Sequence, residues 1–120
     1  MEGQESMALE IATRQHGDVV ILAPAGIVSG SGTSDELRQA LIAKSDSGYS
    51  RLLLDCSGIT HIDSTGLGEL INAYASIARQ GGAFKLLHPS QRFRDLLRIT
   101  RLDSLLKWFD DEASAVASFS

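Results

Sequence analysis

A single cysteine, Cys56, is all the thiol chemistry this chain holds, so no disulfide can close within it. With no second thiol at ligand spacing, and with His16, His61 and His88 scattered, the pattern of a metal site is missing too. Cys56 therefore reads as a small core residue. Positive charge is scarce: eleven Lys and Arg stand against fifteen Asp and Glu, a net charge of −4. A mildly acidic chain lacks the electrostatic footprint of a nucleic-acid binder. No run approaches the ~20 apolar residues of a membrane span. Met1 to Ser6 is polar and acidic, without the apolar stretch of a signal peptide. No lysine occurs between Lys44 and Lys85, where a phosphate loop would need one. These absences predict a reduced, cytoplasmic, soluble protein without metal or cofactor, and with neither nucleic acid nor membrane as partner.

What is present suits one core. The chain has 120 residues, 43% of them hydrophobic, which fits a single domain. Residues 1–8 are expected to form a flexible leader and residues 9–120 the domain. Leu9 to Arg14 alternates apolar and polar, the pattern of a half-buried strand. His16-Gly17-Asp18 supplies a turn, and Val19 to Ala23 a buried strand that closes a hairpin. Pro24 marks an irregularity or an open edge. Gly26 to Ser34, rich in Gly and Ser, reads as a flexible loop; Ser34 or Asp35 can cap the helix that follows. Leu37, Ala40, Leu41 and Lys44 share one face of that helix, and Gly48 ends it.

Leu52-Leu53-Leu54 predicts a strand covered on both faces. Leu67, Leu70, Ile71, Tyr74, Ile77 and Ala78 mark one face of a long helix that Gly81-Gly82 terminates. Ala83 to Leu87 is a short strand. Ser90 caps a helix with Phe93, Leu96 and Leu97 inward and Arg92, Arg94 and Arg98 flanking as a solvated face. A short strand over Leu105 to Phe109 precedes a last helix with Ala113, Val116 and Ala117 buried. Strands alternating with helices give the α/β class, with right-handed crossovers and helices packed on a sheet.

Between the third strand and the long helix lies Asp63-Ser64-Thr65-Gly66-Leu67-Gly68. Ser64 has His61 and Asp63 nearby, but residues adjacent in sequence seldom converge as a catalytic triad does. The sharp hydrolase turn needs Gly-x-Ser-x-Gly, and Ile62 stands two residues before Ser64. Gly66-x-Gly68 starts a dinucleotide fingerprint whose third glycine would fall on Ile71. From the residues alone, Asp63-Ser64-Thr65 is a helix cap, since all three are good caps.

The stretch from Leu52 to Gly68 resembles the STAS domain of anti-sigma factor antagonists: an apolar run, Asp, a small break, then Asp-Ser-Thr-Gly-Leu-Gly at a helix start. The likeness runs from about Leu9 to Phe119. It implies a single STAS-like domain with a mixed sheet of four to five strands and about four helices. It implies a binding module rather than an enzyme, with Ser64 as a phosphorylation site. The unmodified form would bind an anti-sigma factor serine kinase and free the sigma factor, and a phosphatase would reverse phosphorylation at Ser64. Asp63, Thr65, Gly66, Leu67 and Gly68, with Ser29 and Ser31 from the glycine-serine loop, would form the partner surface, on a monomer or weak homodimer. The other task open to such a domain is a scaffold, stressosome-like, or a regulatory subunit of a lipid transporter. Two departures stand out. Gly26-Ile27-Val28-Ser29 lacks the acidic residue usual after that glycine, and His61 replaces an apolar or aromatic residue.

Overall fold

The computed structural model describes residues 9–30 and 32–120, so the expected leader lies outside the described residues. The chain runs β1 (Glu10–His16), β2 (Val19–Val28), α1 (Thr33–Asp46), β3 (Arg51–Asp55), a 3-10 turn (Cys56–Gly58) and β4 (Ile59–Ile62). It continues through α2 (Ser64–Arg79), β5 (Ala83–Leu87), α3 (Gln91–Ile99), a second 3-10 turn (Leu102–Ser104), β6 (Trp108–Phe109) and α4 (Glu112–Ala117). The sheet has six strands in the order β1-β2-β3-β5-β6, with β4 paired to the far end of β2. Only β1 is antiparallel to its neighbour; the other pairings are parallel. The mixed sheet and four helices match the expectation, with β4 as a strand more. Ile59-Thr60-His61-Ile62 carries too little apolar pattern to stand out, and its pairing with Gly26–Val28 makes it a strand.

β2 explains both Pro24 and the glycine-rich stretch after it. Val20–Leu22 pair with β3 and Gly26–Val28 with β4. Pro24 falls between these partners, where a missing N–H costs no ladder bond. The strand therefore runs on through Val28, and the loop expected over Gly26 to Ser34 shrinks to the few residues before Thr33. Neither Ser34 nor Asp35 caps α1. Gly32 holds the cap position without a side-chain bond, and Ser34 is buried with its Oγ unpartnered among the described residues. Thr33 does the local bonding instead: its Oγ1 accepts from the Ser29 N–H at 3.0 Å and donates to the Ser29 carbonyl at 3.2 Å.

The two faces of the sheet differ. Val20, Leu22, Leu52, Leu54, Phe84 and Leu86 point to one side, where Leu37 and Leu41 of α1, Leu67, Leu70, Ala73 and Ile77 of α2, and Phe93 and Leu97 of α3 cover them. Val19, Ile21, Leu53 and Leu87 point to the other, against α4 alone. That six-residue helix buries Ala115, with Val116 and, just past its end, Phe119 half-buried; Ala113 and Ala117 are exposed, contrary to the periodicity. One turn and a half of helix cannot fix its own face, and the polar anchors described below set it. β1 is exposed almost throughout rather than half-buried, because it is an edge strand that only Leu9 and Ile11 tie to the core. In α2 the buried set takes Ala73 in place of Ala78.

Candidate functional site

The site forms where β2 and β4 end together and α2 begins. Ile62 pairs with Val28, and the next N–H, of Asp63, reaches the Val28 carbonyl at 3.4 Å. Asp63 stays extended and caps α2: its Oδ1 accepts from the Gly66 N–H at 2.8 Å. Its Oδ2 accepts from the Gly30 N–H at 3.4 Å, so one carboxylate holds both the helix start and the loop after β2. Such a cap contributes about 1 kcal/mol.

With the cap assigned to Asp63, Ser64 is the first helical residue and is exposed, as is Thr65. The first N–H groups of α2 and its dipole favour negative charge there. The six residues of the motif thus divide. Asp63, Ser64 and Thr65 present polar groups. Gly66 is buried: a Cβ there would meet the Val28 carbonyl oxygen at 2.7 Å and Ile62 Cγ1 at 3.0 Å. The glycine therefore lets the first turn of α2 lie on the end of β2. Leu67 is 2% exposed and points into the core, so it seats the helix. Gly68 is exposed and would meet nothing. Ser29 is half-buried beside Thr33, and Ser31 lies outside the described residues.

Sequence patterns did not find the rest of this surface. A hollow beside Ser64 is lined by His61, Ile62, Asp63, Arg92, Asp95, Leu96 and Ile99, so α3 forms its far wall. Ile99 is 79% exposed and Ile27, on β2, 53%. Helical periodicity could have flagged Ile99, an apolar residue off the Phe93–Leu97 stripe. The arginine group is not one solvated face. Arg94 pairs with Asp110 and lies over the Trp108 ring, Arg98 lies over the same ring, and Arg92 lines the hollow. Cys56 is buried, which pushes its thiol pKa up and keeps it protonated. Among the described residues no group of three His, Cys, Asp or Glu could hold a metal ion. No helix among them is long and apolar enough to cross a membrane.

The STAS domain family model matches residues 10–115, from the edge strand to α4. The chain belongs to the STAS domain family. A STAS relative from Thermotoga neapolitana, provisionally named an anti-sigma factor antagonist, is 38% identical over 69 residues, 58% of this chain and 61% of that one. The anti-sigma-B factor antagonist of Bacillus subtilis is 31% identical over 70 residues, 58% of this chain and 63% of that protein. The matched stretch thus spans less than two thirds of these relatives' lengths. The STAS fold extends further: a Thermotoga maritima crystal structure, of a protein with the same provisional name, superposes with a TM-score of 0.83 at 27% identity, over 91% of this chain and 93% of that one.

Proposed function

We propose that this STAS domain is an anti-sigma factor antagonist switched by phosphorylation at Ser64. Unmodified, it binds an anti-sigma factor serine kinase in the cytoplasm and releases the sigma factor; phosphorylated, it does not bind, and a phosphatase restores it. The observation that carries this reading is the division of labour at the start of α2. Asp63 is committed to the cap, which leaves the Ser64 hydroxyl exposed on the first helical residue. The names of the relatives support the same reading.

A phosphate on Ser64 adds about −1.5 to −2 charge at pH 7. The α2 dipole tolerates it, so the fold persists. The penalty falls on the interface, where that charge and Asp63 would both have to be buried against a partner. With the cognate kinase and ATP, label enters Ser64, and Ser64→Ala blocks it while keeping partner binding. Affinity capture from the native cell recovers the kinase with wild type and not with Ser64→Asp. Labelling confined to Thr65, or equal capture by Ser64→Asp, would refute the switch.

A further inference from the structure

We infer that the β1 edge is a self-pairing surface, on which a second copy of this chain extends the sheet across a two-fold axis at Thr13. The two edges of the sheet differ. One ends in β6, two residues long. The other is β1, seven residues from Glu10 to His16, with no proline, no lysine and no irregularity in its register. Natural sheets blunt their edges with such features, and a long regular edge is a template for another strand.

The hydrogen-bond phase of this edge follows from the hairpin. His16 pairs with Val19 across Gly17-Asp18, and Gly17 has φ +66°, as the first central residue of a type II′ turn requires. The pair flanking a two-residue turn exchanges both backbone bonds, and such pairs alternate along the ladder. Glu10, Ala12, Arg14 and His16 therefore spend their backbone groups on β2. Ile11, Thr13 and Gln15 turn theirs outward. Every residue of this strand except half-buried Ile11 is exposed.

A second β1 laid antiparallel meets this pattern best with Thr13 opposite Thr13. Ile11 then faces Gln15 twice, and three outward pairs exchange about six backbone bonds. The side chains agree with that register. Thr beside Thr is a favourable cross-strand pair, and Glu10 falls opposite His16 at both ends. Arg14 meets uncharged Ala12, and its own charge is already held by Glu112 and Asp55. Centring on Arg14 would oppose two arginines, and centring on Ala12 would forfeit the Gln15 bonds. Because the two copies of β1 run in opposite directions, the two copies of β2 do too. The Ser64 sites then lie at opposite ends of the joined sheet, each open to its own partner.

Sedimentation of the full chain from micromolar to millimolar concentration tests this, with amide spectra over the same range. A reversible dimer is expected, with concentration-dependent shifts and slowed exchange concentrated at the Ile11, Thr13 and Gln15 amides. Thr13→Lys, which sets two cations on the axis, should weaken it at least tenfold with circular dichroism unchanged. A protein monomeric throughout would overturn the inference. So would a dimer indifferent to Thr13→Lys, or one whose amide shifts fall elsewhere. The spectra need no variant, so they decide the question even if Thr13→Lys fails to fold.

Discussion

The two faces of the sheet are held by different means. The broad face is apolar: leucines of β2, β3 and β5 lie under α1, α2 and α3, and the anchoring side chains are at 2% exposure or less. The α4 face has a small apolar patch framed by ions. At the start of α4, Glu112 takes Arg14 Nη2 at 2.7 Å and His16 Nδ1 at 3.0 Å. Arg14 also reaches buried Asp55 at 3.1 Å. At the end of α4, Lys85 Nζ donates to the Ser118 carbonyl at 2.8 Å and to its Oγ at 2.9 Å, and lies over the Phe119 ring. A cation at a helix C-terminus also suits the dipole. A short helix that buries little apolar area needs directional bonds to fix its position, whereas three longer helices do not. Ser64, the proposed phosphoacceptor, stands on the broad-face side, at the root of α2.

The sharpest test of this contrast lies on the broad face. Leu54→Ala leaves a cavity among fully buried side chains and should cost about 2–5 kcal/mol, with the urea midpoint falling and the slope unchanged. A loss near 1 kcal/mol would mean that this face relaxes as readily as the other. Gly66→Ala comes next. Helix propensity alone would favour alanine by about 1 kcal/mol. The Val28 carbonyl 2.7 Å from the new Cβ is backbone and cannot turn away, so a net loss of about 1–3 kcal/mol is expected. Its neighbour provides the control: Gly68→Ala meets nothing and should stabilise by up to ~1 kcal/mol.

Lys85→Met separates the faces directly. It keeps an apolar stem against Phe109 and Phe119 while removing both bonds to Ser118. About 1–2 kcal/mol should be lost. Hydrogen exchange should quicken at the α4 amides, 112–118, and stay unchanged in α2. Equal quickening in both would show that the two faces open as one unit, and the contrast would fail.

These tests also mark what sequence could and could not convey. Three consecutive leucines, the 67–77 periodicity and the Ser90 cap were legible because each is a local pattern with one physical solution. The Asp63 motif was legible as a cap from residue type; the phosphoacceptor role proposed for Ser64 came only through resemblance. β4 was not legible, since its strand state depends on the far end of β2, more than thirty residues earlier. The face of α4 escapes periodicity for the same reason. Arg14, His16 and Lys85 set it from β1 and β5, and no pattern within residues 112–117 encodes them. At the site, the wall supplied by Arg92, Leu96 and Ile99 depends on where α3 crosses, which is a tertiary fact.

Acid gives the smallest effect and the finest discrimination. Glu112 is held below its ordinary 4.5 by the Arg14 hydrogen bond first and by His16 second. Burial alone would raise the Asp55 carboxyl, but bonds from the Ser57 hydroxyl and N–H and from Arg14 outweigh it and leave it below 3.8. Both groups have folded values under their unfolded ones. The stability they lend is therefore complete above the unfolded values and is lost as pH falls through the folded ones. The α4 clamp should weaken below about pH 4.5, ahead of the broad face, which has no such carboxylate in its core. Glu112 is partly exposed and its pairs are screened, so its share is only about 0.5 kcal/mol. Near-ultraviolet dichroism of Phe109 and Phe119 should thus decline with acid before the α2 amides lose protection, and Glu112→Gln should remove part of that early change. Simultaneous loss of both signals would tie α4 to the main core and erase the distinction between the faces.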